Sequence, residues 1–141
     1  MEKIPFVTNE QIQEIVKKYP TPFHLYDEKG IRENAKALKE AFSWNKGYRE
    51  YFAVKATPNP FLVSILREYG CGCDCSSLTE LMFADAIGAS GDDIMFSSND
   101  TPAEEFVLAH KLNAIINLDD ITHIDFLENA IGTLPKKISC R

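Results

Sequence analysis

Apolar and polar positions follow two rhythms along this chain, and the change from one to the other predicts its organisation. Ile12, Ile15, Val16 and Tyr19 recur at helical spacing. Thr8, with Gln11 three residues later, reads as a capping box opening that helix, and Pro20 and Pro22 close it. Thr21-Pro22-Phe23-His24-Leu25-Tyr26 reads as a short strand. Asp27 is placed to cap a second helix, with Ile31, Ala35, Leu38 and Phe42 on one face. Glu33, Lys36, Lys39 and Glu40 fall largely on the other, and residues 44–47 form a loop.

From Tyr48 onward the pattern becomes a regular alternation. Short apolar runs at 51–56, 71–76, 93–97, 114–118 and 137–140 predict strands. Amphipathic helices separate them. Pro60 sits near the first turn of one, and Gly70 follows it as a C′ glycine. Ser77-Leu78-Thr79-Glu80 reads as a capping box, with Gly88 as the stop. Thr101-Pro102-Ala103-Glu104 is a further capping signature, with proline at the first helical position. That helix is expected to bury Phe106, Val107 and Ala109. Asp120 is expected to cap the last helix, which carries Ile124, Leu127 and Ile131 and stops at Gly132.

Strands recurring roughly every 20 to 25 residues, each followed by a helix, imply an α/β fold with parallel strands and right-handed crossovers. An open doubly wound sheet and a (β/α)8 TIM-type barrel both fit. No G-x-G-x-x-G follows the first strand, which weighs against the dinucleotide-binding form of the open sheet. A full barrel needs about 250 residues. The chain has 141 and ends in mid-strand, so it is expected to be a truncated part of a larger unit. An open half barrel would leave strand edges and apolar faces uncovered.

Composition narrows the function. Hydrophobic residues make up 45% of the chain, enough for a core, and the net charge is −6, which argues against a nucleic-acid binder. No apolar run is long enough for a membrane span and no signal-peptide core is seen, so a cytoplasmic protein is expected. Cys71, Cys73 and Cys75 alternate. In a strand they form a row on one face rather than a tetrahedral cage, so no metal site is assigned. They are expected to be small buried residues kept reduced.

The candidate chemistry lies where the strands end. Lys55 closes the run Tyr51-Phe52-Ala53-Val54-Lys55-Ala56, where burial would lower an amine's pKa and ready it for a Schiff base. Asp74 stands inside an apolar strand between two cysteines and needs a partner, with Lys55 first in line and Arg141 second. A Lys-Asp-Arg set at a barrel mouth suits an amine, an imine and an anion.

Tyr51-Phe52-Ala53-Val54-Lys55-Ala56 resembles the Y-A-V-K-A lysine motif of the fold-type III pyridoxal-phosphate (PLP) decarboxylases. Cys73-Asp74-Cys75-Ser76-Ser77-Leu78-Thr79-Glu80-Leu81 is similar to their D-x-x-S-x-x-E-L segment. Thr21-Pro22-Phe23-His24-Leu25-Tyr26-Asp27 resembles their opening T-P-x-x-x-Y-D, and Ile138-Ser139-Cys140-Arg141 resembles the strand whose arginine lies beside the cofactor. Phe52 departs from the pattern by widening the Tyr-Ala-Val-Lys spacing by one.

The resemblance implies an alanine racemase-like barrel, with residues 1–20 as an N-terminal helix and 21–141 as the first part of the PLP-binding barrel. By the same resemblance, the C-terminal β-domain is expected to be absent. It implies that Lys55 holds PLP as a Schiff base, that Asp74 orients that lysine or the arginine, and that Arg141 lies near the cofactor's polar edge. Glu80 matches the motif's acid but also has a capping role. The phosphate site, the acid on the pyridine nitrogen and residues from the β-domain fall outside these residues. This part alone is therefore expected to bind PLP poorly and to be inactive. For the parent, the resemblance implies a homodimeric carboxy-lyase acting on a small amino acid. Diaminopimelate is the first choice of substrate, in lysine biosynthesis. Ornithine, lysine and carboxynorspermidine are the alternatives. Alanine racemase ranks low, because Ala56-Thr57-Pro58-Asn59-Pro60 follows the lysine in place of an N-A-Y-G-H-G-like stretch. A single-barrel PLP-homeostasis protein fits the N-terminal part less well.

Overall fold

Five parallel strands lie in the order in which they occur along the chain. They are β1 (Tyr51–Ala53), β2 (Gly72–Cys75), β3 (Ile94–Phe96), β4 (Ile115–Leu118) and β5 (Ile138–Cys140). The structure is a computed structural model and describes residues 4–141. A doubly wound sheet reverses the direction of strand addition at a switch point. Here the order never reverses, and the sheet is part of a (β/α)8 barrel.

Helices α1 (Asn9–Lys18) and α2 (Glu28–Ala41) precede β1. Helices α3 (Pro60–Glu68), α4 (Leu78–Ala86), α5 (Ala103–Lys111) and α6 (His123–Ile131) connect the strands. All four connecting helices pack on one sheet face. Val63, Leu81, Ala84, Phe106, Ala109 and Leu127 from the helices join Cys73, Cys75, Ile94, Phe96, Ile116 and Leu118 from the strands in a single core. Phe106 meets Phe96 edge-on, with centroids 6.1 Å apart. Burying each large side chain of this set contributes about 1.5–3 kcal/mol. The alternate strand positions, Tyr51, Ala53, Asp74, Met95, Ile115, Asn117 and Ser139, form the opposite face, which is the barrel interior.

Local signals explain most element ends. Thr8 and Gln11 form the capping box reciprocally. Asn59 caps α3 by accepting from the Phe61 N–H, with Pro60 as the first residue. Gly70, Gly88 and Gly132 take positive φ just past α3, α4 and α6.

Several expectations are corrected. Residues 21–26 form no strand, for β1 has no partner on that side. Strand β1 stops at Ala53 because Val54–Ala56 tighten into a 3-10 turn. Asp27 precedes α2 without capping it, and its carboxylate lies over Gly30 instead. Pro102 is the residue before α5, not its first, and the Thr101 hydroxyl is buried without a partner. Asp120 does not cap α6. It accepts from the N–H and hydroxyl of Thr122, and the helix starts one residue later. Val107 points outward, while Phe106 and Ala109 are buried as expected. The cysteine row holds two members, since Cys71 precedes β2 and is half-buried.

Helix α1 has the expected amphipathic pattern but buries none of its residues. Among the described residues, no helix is long and apolar enough to cross a membrane.

Candidate active site at the strand ends

Parallel strands with crossover helices bring their C-terminal ends to one rim, where the side chains that follow each strand gather. Lys55 stands there in the 3-10 turn after β1. The sequence predicts a buried amine, but its side chain is exposed. The strand stops two residues before it, so the lysine leaves the sheet instead of lying within it. Lys55 makes no hydrogen bond or ion pair among the described residues.

Asp74 lies on the interior face of β2, in register with Ala53 on one side and Met95 on the other. It is half-buried, and the fully buried Cys73 and Cys75 flank it. Its partner is neither Lys55 nor Arg141, as the sequence suggests. The hydroxyl of Ser97 donates to Asp74 Oδ1 at 2.5 Å. Ser97 follows β3, and its backbone N–H donates to the Cys75 carbonyl at 2.8 Å, which continues the sheet by one bond.

The loop from β2 to α4 is tied at several points. Ser77 caps α4 by accepting from the Glu80 N–H. The Glu80 carboxylate reaches back to the N–H of Ser76 at 2.9 Å and to its hydroxyl. The capping box is therefore shifted, with Glu80 serving the residue before the cap. The Cys75 thiol donates to the Glu80 carbonyl. Burial, helped by nearby Cys73, Glu80 and Asp74, pushes this thiol well above the ordinary range, so it is an inert packing group. Glu105 of α5 accepts from the Leu78 N–H, the first of α4.

Arg141 closes the far end of the rim. Its Nε donates to Asp119 at 2.6 Å and its Nη2 to Asn99 at 3.2 Å. The hydrogen bond from Arg141 holds the Asp119 carboxyl below its usual range. Asp119 in turn strengthens the charged guanidinium, and the more distant Asp74 acts in the same direction. Between these ends, Asn117 is buried in register with Ser139, and its amide nitrogen has no partner. Sequence reading missed Asn117 and the pairing of Ser97 with Asp74. Both residues lie at interior positions that strand alternation marks once the register is known.

The three expected residues thus share one rim without touching one another. Lys55 is a lysine without a partner among the described residues at one end, Asp74 an oriented carboxylate, and Arg141 a paired cation at the other end. A cavity of about 140 Å³ beside Asp119, Cys140 and Arg141 lies at this rim. A larger one of about 400 Å³ lies elsewhere, against the outer side of β1, lined by Ile31, Leu38, Phe52, Leu62 and Leu66. It is apolar and lacks all three residues.

Residues 28–141 match the family model described as pyridoxal-dependent decarboxylase, pyridoxal binding domain. Protein TabA of Pseudomonas amygdali pv. tabaci is 45% identical over 109 residues, 77% of this chain and 26% of its own length. Diaminopimelate decarboxylase of Helicobacter pylori is 33% identical over 123 residues, 86% of this chain and 30% of its own. A solved diaminopimelate decarboxylase from H. pylori, complexed with L-lysine, superposes with a TM-score of 0.77 at 32% identity, covering 84% of this chain and 30% of that one. A lysine decarboxylase structure from Selenomonas ruminantium gives 0.80 at 23% identity, over 92% and 33% of the two chains, a likeness of fold. The chain spans about a quarter to a third of the length of the curated relatives it matches.

Proposed function

The chain belongs to the pyridoxal-dependent decarboxylases, as their pyridoxal binding domain, and from this premise we propose that it holds pyridoxal phosphate on Lys55 and carries part of the active site of an amino-acid decarboxylase. The observation behind this assignment is Lys55 itself, an exposed lysine at the C-terminal end of β1, unengaged among the described residues.

The rim fits the group chemically. An aldehyde needs a lysine side chain not engaged elsewhere, and Lys55 has no partner among the described residues. An anionic cofactor needs cations and hydrogen-bond donors, and Arg141 and the unpartnered amide of Asn117 face the same side of the sheet by strand alternation. Bound pyridoxal phosphate supplies an electron sink, so that a bond at an amino acid's α-carbon can break with loss of CO2.

The chain's own residues do the positioning. Lys55 Nζ would hold the cofactor covalently and yield its place to the substrate amine. Set free, Nζ is an amine able to carry a proton at the reacting end of the site. Asp74, held by Ser97, places an oriented carboxylate at the rim, where it would favour a cationic partner. Arg141, kept charged by Asp119, would lie near the cofactor's polar edge.

Diaminopimelate is the substrate we favour, because relatives carrying that name reach 36% identity. Lysine, ornithine and carboxynorspermidine are the alternatives. We take the whole enzyme to be a cytoplasmic homodimer, and its four unpaired cysteines suit a reducing compartment. To test the substrate, the purified whole enzyme saturated with pyridoxal phosphate is given meso-diaminopimelate, L-lysine, L-ornithine and carboxynorspermidine separately, and CO2 is measured. Release from meso-diaminopimelate is expected. Release from another of the four alone replaces the substrate, and cofactor uptake without CO2 from any contradicts decarboxylation.

A further inference from the structure

We propose that Ser97 is a positioning residue for Asp74, orienting its carboxylate at the cofactor rim without neutralising it; this rests on the assignment of the rim as the pyridoxal phosphate site. The bond between Ser97 Oγ and Asp74 Oδ1 is 2.5 Å, at the short end of the range for a hydroxyl donating to a carboxylate. Both partners are anchored. Asp74 sits between two fully buried cysteines, and Ser97 between Phe96, fully buried, and Ser98, 5% exposed. The Ser97 N–H is bound to the Cys75 carbonyl, so the two backbones keep their separation.

The choice of a neutral donor has a consequence. A half-buried carboxylate needs a partner. Lys55 would satisfy Asp74 but would cancel its charge and engage the amine the cofactor needs. Arg141 is directed to Asp119 and Asn99 instead. Lys55 stays unengaged. Serine fixes one oxygen of Asp74 and leaves both the net charge and the second oxygen for whatever binds. A site held this way is organised before the cofactor arrives, and that lowers the ordering cost of binding.

The test is a double-mutant cycle on cofactor affinity in the whole enzyme, read by the absorbance change on titrating pyridoxal phosphate into wild type, Ser97→Ala, Asp74→Ala and the double variant, with melting curves as a check on folding. Ser97→Ala is expected to weaken binding about tenfold, as for a hydrogen bond to a charged group. The same change is expected to have no effect in the Asp74→Ala background. Ser97→Cys, which keeps the volume but donates weakly, carries the same prediction if the alanine variant folds poorly. Wild-type affinity in Ser97→Ala, or an equal loss in the Asp74→Ala background, overturns the proposal while leaving the cofactor assignment intact. A wild type that takes up no cofactor overturns that assignment and this inference with it.

Discussion

Glu105 of α5 accepts a hydrogen bond from the Leu78 N–H at 2.9 Å, across 27 residues of sequence. Leu78 opens α4, whose first N–H groups have no partner within the helix. A carboxylate from the next helix therefore serves as a second cap beside Ser77, and its charge favours the positive end of α4. Glu105 is 9% exposed, so the bond is largely shielded from water.

Glu105→Ala should accordingly destabilise the protein by about 1–3 kcal/mol, the cost of leaving a buried donor unpaired. Urea denaturation measures it. Glu104, the exposed neighbour in the same helical turn, is the control, and Glu104→Ala should stay within about 0.5 kcal/mol of wild type.

Gly72 is required by the other end of the sheet. A Cβ there would meet the Tyr51 ring at 2.6 Å and the Asp93 carbonyl at 2.8 Å. The ring is held in place because its hydroxyl donates to the Asp92 carbonyl. Gly72→Ala should cost about 1–3 kcal/mol from overpacking. Combining it with Tyr51→Ala removes the ring but not the carbonyl. Thermal melts should therefore show the added methyl still destabilising, by less, in the Tyr51→Ala background.

Asp93 ties three elements together by pairing with Arg49 and with Arg67, the latter at 3.1 Å. Arg67 also donates to the carbonyls of Ile87 and Gly88 after α4. Burial alone would raise the Asp93 pKa, but the two arginines outweigh it and hold the carboxyl low. A carboxylate depressed in the folded state stabilises the fold above its unfolded pKa, near 3.9, and loses that contribution as pH falls through the folded value. Melting temperature should drop below about pH 4. Asp93→Asn should start lower at neutral pH and show a shallower fall in acid.

The strand-helix rhythm made the fold legible, because each strand is a short apolar run and each helix after β1 ends at or near a glycine or a turn residue. Lys55, Asp74 and Arg141 were legible as residues of one rim, because parallel topology sends every strand end to the same side. Their partners were not. Strand alternation places Asp74 in the interior, but only the register between β2 and β3 shows that Ser97 reaches it. Glu105 looks like an ordinary acid in a first helical turn, and only the packing of α5 beside α4 turns it inward. Asp27 and Asp120 show the opposite error. Both have the right residue type for a cap, but Asp27 folds over Gly30 and Asp120 closes a turn with Thr122 before α6 begins. Residue type reports that a bond can form, and backbone position decides which one does.

Trapping the Schiff base shows whether Lys55 carries pyridoxal phosphate. The purified whole enzyme is incubated with pyridoxal phosphate, reduced with borohydride, digested and analysed by mass spectrometry, alongside Lys55→Ala. Lys55 is exposed, so its removal should leave the melting temperature unchanged and the comparison clean. The pyridoxyl mass is expected on the peptide containing Lys55, and the variant is expected to lose it. A label spread over several surface lysines, or retained in Lys55→Ala, would contradict that assignment.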